Sequence, residues 1–348
     1  MRVNRRSVAV GAVSLMFLGV AACGGDGSPS GTAAGGCGGG ELKFAFEGPT
    51  GTAQEIAANM FGEELDSQTD GNMTIQQFPG AQLGGEPELL EKVRSGAIDF
   101  IISSTANATT IAPVGGVFSE HYLAEDREQA KAIFADDTVN KDYLESANKQ
   151  VKGAQALTLF MLPMRNMYAE FPIHSVDDIK GKKVRIQATS TDDTTFKAYG
   201  AQTVHMSFTE LYSALQTGVV NMAENALTYY GLNKHYEVAP AMSFTEHSMN
   251  GQVIWVSDKA WDSMCTEEQD AVKAAALKVR HDQPTEALKL EDELRQKYAD
   301  LGVKYITDVD KESFVEISKP LQDSIAEDIG PDAVKILADI RKLTGAEN

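Results

Sequence analysis

Arg185 lies in the short run Lys183-Val184-Arg185-Ile186-Gln187. Period-2 alternation puts Lys183, Arg185 and Gln187 on one face of a strand and Val184, Ile186 and Ala188 on the other. A guanidinium at the end of a core-forming strand is costly to hold unless something negative meets it. Its planar fork suits a carboxylate, through two parallel charge-assisted hydrogen bonds. Two readings fit, a structural ion pair or a clamp on a carboxylate ligand. A second arginine, Arg165, is flanked by LFMLPM and NMY, also strand-like and apolar. The other arginines beyond the leader (94, 127, 280, 295 and 341) fall in helix-patterned polar segments, where a solvated role suffices. Two desolvated cations in one region form either an anion site or a pair of buried bridges.

The charge around them sharpens the question. The chain has 348 residues, 43% of them hydrophobic, and a formal net charge of −19. Loss of the leader described below removes three arginines and no acids, which takes the charge to −22. Such acidity favours solubility and gives no attraction for nucleic acid or an anionic membrane surface.

Other chemistries lack their residues. The six histidines (121, 174, 205, 235, 247 and 281) make no HExxH and no close metal-ligand pairing, and no cysteines are closely paired. There is no GxSxG elbow and no Walker loop. His247, at a strand end, reads as a structural histidine or a ligand contact. The carboxylates decorate helices, and no acidic pair stands out for glycosidase work. No metal and no cofactor are expected.

The elements that must position the arginines alternate strand and helix. Residues 41–46 read as a strand, 53–68 as an amphipathic helix and 73–78 as a strand, followed by helix 86–95 and buried strand 98–102. Two helical stretches fill 126–150, and 156–162 returns to strand. Then come strand 183–187, helix 191–199, strand 202–206, helix 208–217 and strand 219–223. Alternation of this kind implies parallel sheets covered on both faces. Residues 241–247 and 251–257 read as two strands crossing between lobes. Residues 266–301 form a very long helical pattern in which Pro284 predicts a kink or break. Strand 302–306 and helices 310–326 and 331–343 close the chain.

One internal echo stands out. LLEKVRSGAIDF (89–100) and LYSALQTGVVNM (211–222) are each a helix, a Ser/Thr-Gly stop and a buried strand, with Asp99 matching Asn221. Glycine suits the left-handed cap at that step. The echo and the chain length predict two similar α/β lobes rather than one core.

The first 22 residues carry Arg2, Arg5 and Arg6 before an apolar run from Val8 to Ala22, the form of an export signal. Val20-Ala21-Ala22-Cys23 has the form of a lipoprotein box, which makes Cys23 the expected lipidated terminus. The Arg5-Arg6 pair leaves the export route open between the general and twin-arginine systems. Residues 23–40 are a Gly/Ser-rich tether. No other apolar run approaches the ~20 residues that a membrane helix needs. The expected location is therefore outside the cytoplasmic membrane, anchored by lipid. A Cys37–Cys265 bridge would pin a flexible leader without visible gain, so free thiols are expected there.

EGPTGT, FPGAQLGGEPELLEKVRSGAIDF, DDIKGKKVRIQ, VHMSFTELYSALQTGVVNMAEN, KHYEVAPAMSFTEH and the long C-terminal helix follow in order. Their order and spacing resemble the solute-binding subunits of tripartite ATP-independent periplasmic (TRAP) transporters. The resemblance covers nearly everything from Glu41 to about Gly302. It implies two doubly wound α/β lobes joined by a hinge, similar to class II periplasmic binding proteins, with a long helix spanning both. The lobes divide as 41–162 plus 251–290 and 163–250 plus 291–348. The ligand is expected in the cleft between them.

The resemblance also implies site roles. Arg185 matches the arginine that grips the ligand carboxylate, and Arg165 a second arginine of the same pocket. Asn225 resembles the asparagine that donates to the carboxylate or its neighbour, and Phe208 the aromatic packed on the ligand. Glu47, Ser104 and Asn107 occupy the first-lobe specificity places. Tyr229 and Trp255 are further pocket candidates, or core and hinge packing. Glu47 is a departure, an acid where a neutral donor is more usual, suited to a hydroxyl or to the cation of a zwitterion. Glu224-Asn225 departs from the Glu-Trp of the metal-using branch, which again implies no metal. The implied partners are a small organic acid and an integral membrane permease, with the chain a monomer. An enzyme acting on a small acid and a ligand-sensing lipoprotein are the rival readings.

Overall fold

The structure, a computed structural model, describes residue 37 and residues 39–346. The expected signal peptide, Cys23 and most of the tether lie outside the described residues.

Apolar side chains at strand and helix spacing set the first wing. Strand β1 (Gly40–Ala45) buries Phe44 and Ala45, and helix α1 (Ala53–Gln68) buries Ala57, Ala58, Phe61 and Leu65 along one stripe. Strand β2 (Met73–Phe78), helix α2 (Glu86–Arg94), strand β3 (Phe100–Ser104) and the one-turn helix α3 (Thr105–Ala108) follow. Helices α4 (Arg127–Ala135) and α5 (Asp137–Gln150) are each N-capped by an aspartate, Asp126 and Asp136, which accepts from two backbone amides of the first turn.

Strand β4 (Ala154–Ala169) leads into the second wing. That wing holds strand β5 (Lys183–Ile186), helix α6 (Ser190–Ala198), strand β6 (Gln202–His205), helix α7 (Leu211–Gln216), strand β7 (Met222–Asn225) and helix α8 (Leu227–Leu232). Strand β8 (Ala241–Ser257) runs back, and is one 17-residue strand where the sequence suggests two. Helix α9 (Asp258–Ser263) and helix α10 (Thr266–Asp300) follow, and α10 passes through Pro284 as a single helix. Strand β9 (Lys304–Ile306) and helices α11 (Glu312–Ser318), α12 (Gln322–Ile329) and α13 (Pro331–Thr344) end the chain.

Among the described residues nine strands form one sheet, ordered β2-β1-β3-β8-β4-β7-β5-β6, with β9 beside β8. The expectation of parallel pairing holds only in the wings. There β1 is parallel to β2 and β3, and β5 is parallel to β6 and β7. The centre is antiparallel, because β4 and β8 are long hairpin-like partners that run through both wings. Their register slips between Leu162 and Arg165, at Pro163, which has no N–H to give the ladder.

The sequence echo is a structural one. Gly96 and Gly218 both take left-handed φ values, 69° and 72°, at the ends of α2 and α7. Asp99 Oδ2 then accepts from Lys43 N on the neighbouring β1 at 2.8 Å. Asn221 Oδ1 accepts from Lys183 N on the neighbouring β5 at 3.0 Å. In each wing the side chain before the buried strand ties that strand to its parallel neighbour.

Two expectations are corrected here. Cys37 and Cys265 form a disulfide rather than standing as free thiols. The chain is already docked at residue 37, since Gly39 N donates to Glu268 Oε1 on α10 and Gly40 N to Asn72 O, both at 2.7 Å. Residues 322–344, grouped by sequence with the second lobe, pack on the first wing instead. Ile336, Leu337 and Ile340 share a buried cluster with Phe118, Phe134 and Tyr143, and Ser146 Oγ donates to Asp332 Oδ2 at 2.6 Å.

Candidate ligand-binding site

The parallel strands of both wings end at one small cavity. This is where an open α/β sheet offers side chains and backbone to a ligand. From the first wing come Glu47, just beyond β1, Glu86 at the start of α2, and Ser104 at the end of β3. From the second come Arg185 and Gln187 on and just past β5, Phe208 before α7, and Asn225 at the end of β7. Arg165, Asn250 and Gln252 reach it from the central strands, and Tyr229 from α8.

Arg185 is only 2% exposed, yet no carboxylate lies within ion-pair distance of it among the described residues. Its Nε and Nη2 donate to the carbonyl of Met206 at 3.1 and 3.0 Å. Nη1 has no hydrogen-bond partner among the described residues. The guanidinium carbon lies 5.7 Å from the centre of the Phe208 ring. Phe208 is itself backed by His235, ring centres 5.3 Å apart, and His235 Nδ1 hydrogen-bonds the Tyr168 hydroxyl at 2.9 Å. Burial, helped by the Arg185 charge, lowers His235 to about 3, so a neutral ring supports Phe208.

Arg165 is different. It forms a buried pair with Glu224, Nε to Oε2 and Nη2 to Oε1 at 2.8 Å, and Nη2 also reaches the Glu224 carbonyl at 3.1 Å. Burial pushes the Glu224 carboxyl up, but Arg165 and His247 outweigh it and hold Glu224 down to about 2. The remaining Arg165 nitrogen, Nη1, donates to Asn250 Oδ1 at 3.3 Å. His247 lies behind this pair, bonded to Thr245 Oγ1 at 2.8 Å, and does not line the cavity.

The first wing supplies acids and amides. Glu47 Oε1 accepts from Glu86 N at 3.3 Å. Glu86 Oε2 accepts from Ser104 N, Ser104 Oγ and Asn107 Nδ2 at 3.0, 2.6 and 2.7 Å. Burial, and then the nearby Glu86 charge, push Glu47 up to about 8. Ser104 Oγ also accepts from Gln187 Nε2 at 2.9 Å, and Asn107 Oδ1 from Ala188 N at 3.1 Å, so the wings are bonded to each other at the cavity rim. Asn225 Oδ1 is taken by Ala226 N at 2.8 Å, which leaves its Nδ2 as a donor.

Arg185, Arg165, Asn225, Phe208, Glu47, Ser104 and Tyr229 therefore meet around one space. Asn107 stands one layer back, holding Glu86. Trp255 does not belong to the cavity: it is fully buried on β8 opposite Ile101, its indole N–H donating to Ser103 Oγ at 3.0 Å. The residues that sequence reasoning passed over are Glu86, Gln187, Asn250, Gln252 and Gln54. Gln187 was visible as the same-face neighbour of Arg185, and Glu86 as the residue standing in the echo where Phe208 stands in the other wing.

The model of the bacterial extracellular solute-binding protein family 7 matches residues 44–328. The chain belongs to this family. It is the solute-binding subunit of a TRAP transporter, a binding protein and not an enzyme. The chain is 27% identical to the sialic acid-binding periplasmic protein SiaP of Vibrio cholerae, across 85% of this chain and 92% of that one. It is also 27% identical to the 2,3-diketo-L-gulonate-binding periplasmic protein YiaO of Escherichia coli, across 86% and 92%. A crystal structure of a TRAP solute-binding protein from Xanthobacter autotrophicus with bound β-D-galacturonate superposes with TM-score 0.80 at 29% identity, covering 86% of this chain and 99% of that one. A Polaromonas protein bound to D-erythronate gives 0.81 at 26% identity, covering 86% and 98%. No helix among the described residues is long and apolar enough to cross a membrane.

Proposed function

We propose that this family 7 subunit captures a small organic acid through Arg185 and delivers it to an integral membrane permease. The observation that carries this is the buried Arg185 guanidinium, which lies at a cavity and has no carboxylate partner of its own. An uncompensated buried cation costs free energy that a ligand anion recovers on binding. The Nε–Nη2 edge is occupied by Met206 O, so the ligand carboxylate uses the Nη1–Nη2 end, with Asn225 Nδ2 as a further donor and Phe208 packed beside it. Arg165 contributes mainly through the Glu224 pair that holds the cavity wall. Relatives that bind galacturonate and erythronate support an organic acid as the ligand.

The two wings act as lobes that hinge where β4 and β8 pass between them, near Leu162–Arg165 and Ser248–Asn250. A ligand that touches both lobes favours the closed form by its differential affinity. Lipid on Cys23 holds the body at the membrane, outside the cytoplasm. A thermal-shift screen over small acids identifies the ligand, since binding stabilises by mass action. Small-angle scattering should then show a smaller radius of gyration with that ligand, recovered chemically unchanged. Turnover of the ligand, or no acid that stabilises the protein, would overturn the reading. For the anchor, mass spectrometry of membrane-extracted protein should find a diacylated Cys23; an unmodified terminus elsewhere rejects it.

A further inference from the structure

We propose that this chain takes up a proton together with its acid, and that Glu47 is the group that receives it. The inference rests on Arg185 as the carboxylate anchor. Glu47, Glu86 and Arg185 line the same cavity and are all buried. The second arginine of the cavity, Arg165, is already paired with Glu224. A bound acid therefore places three carboxyl groups, its own and those of Glu47 and Glu86, around one guanidinium that has no carboxylate partner. Negative charges gathered in a buried space favour protonation of one of them, as in a carboxyl dyad.

The hydrogen bonds select which one. Glu86 Oε2 accepts from Ser104 N, Ser104 Oγ and Asn107 Nδ2, and donors of this kind favour a charged carboxylate. Glu47 has a single donor among the described residues, Glu86 N, at 3.3 Å from its Oε1. The ligand carboxylate lies on Arg185 itself, so Glu47 is the least supported of the three as an anion. Burial and the Glu86 charge push Glu47 up to about 8, and the Arg185 charge opposes them. A ligand carboxylate on Arg185 cancels that opposing charge and adds a like one, so Glu47 rises further in the complex. The proton comes from solvent and goes to Oε2, since Oε1 is taken, which turns Glu47 into a hydrogen-bond donor.

The other groups facing Glu47 keep their protonation across this window. Burial lowers His235 to about 3 and raises Tyr229 well above its ordinary value, and Tyr212 is raised by its bond to Glu237. Arg165 and Glu224 are ion-paired. Below the value for the free protein, Glu47 already carries the proton and binding takes up none. Above it, the complex holds a proton that the free protein has lost, so affinity falls as pH rises.

D-Galacturonate and D-erythronate, the acids held by two structural relatives, serve as probes. Calorimetry in two buffers of different ionisation enthalpy counts the protons. Uptake should be near zero at about pH 6.5 and on the order of 0.5–1 proton at about pH 8.5. The Kd should weaken roughly tenfold between about pH 7 and about pH 9. Glu47→Gln, an isostere of the protonated acid, should bind without uptake and with little pH dependence. Without ligand, the protonated-carboxyl infrared band that Glu47→Gln removes should titrate near pH 8, and at higher pH in Arg185→Ala.

A probe that binds equally well at both ends of this range with no proton uptake, while Arg185→Ala still abolishes binding, would overturn this inference alone. So would a Glu47→Gln variant that keeps the wild-type pH dependence. No binding of either probe at any pH would overturn it together with the reading of Arg185 beneath it.

Discussion

Arg165 and Glu224 form a buried pair across β4 and β7, joined by two side-chain hydrogen bonds, while Arg185, some twenty residues along, has only a carbonyl. One arginine of the cavity is thus compensated inside the protein, and the other has no carboxylate partner among the described residues. The two should respond to substitution in opposite ways.

Arg165→Leu or Glu224→Leu strands a buried charge. Each should destabilise the unliganded protein by about 3–5 kcal/mol, and the double variant by less than the sum. Urea unfolding followed by circular dichroism measures this. Single variants as stable as wild type would mean that the pair does not hold the cavity wall.

Arg185→Ala should leave the unliganded melting temperature unchanged or slightly higher, since it removes an uncompensated buried cation. Charge-assisted hydrogen bonds are each worth about 1.5–3 kcal/mol, so affinity for the screened acid should fall at least tenfold. Arg185→Lys keeps the charge but not the planar fork, and should bind with intermediate affinity. Calorimetry on the three proteins decides it; a lysine variant that binds like wild type would reduce Arg185 to a background charge.

Stability should decline with pH above neutrality. Burial pushes Glu120 up to about 9, against the opposing charge of Arg341, and Glu47 up to about 8. Neither carboxyl oxygen of Glu120 has a hydrogen-bond partner among the described residues. A raised folded pKa means that the native state keeps a proton the unfolded chain has lost. Stability therefore falls as pH rises from the unfolded value through 8 and 9, and levels off above. Buried His235 and His247, lowered to about 3 and 4, act in the opposite sense below their ordinary value, so the clean window opens above about pH 7. Glu120→Gln should flatten the fall of melting temperature across that window; an unchanged slope rules Glu120 out as its source.

The Cys37–Cys265 bridge closes a loop of 228 residues. Breaking it with Cys265→Ser should cost up to about 5 kcal/mol, the loop entropy that the bridge removes from the unfolded chain. A thiol assay on the denatured, unreduced protein should find neither cysteine reactive. Two titratable thiols at positions 37 and 265 would reject the bridge.

Much of this was legible in the sequence because it depends on local spacing. The strand–helix alternation, the Gly96 and Gly218 stops and the Asp99–Asn221 echo are short-range patterns that reappear in the fold, the echo with the same side-chain hydrogen bond to the neighbouring strand. Val184-Arg185-Ile186 announced a cation in a core strand whatever lay around it. What sequence could not decide is where partners come from elsewhere in the chain. Arg165 and Arg185 read alike as buried cations, and only the pairing of β4 with β7 gives Glu224 to one and not to the other. Trp255 is a core residue because β8 lies between β3 and β4. The disulfide forms because β1 begins beside the first turn of α10, 228 residues away. The antiparallel centre of the sheet follows from two long strands crossing both wings, which no local period encodes. Local periodicity fixes which faces are apolar; long-range pairing fixes which buried charge is left without a counter-ion, and so where an acid can bind.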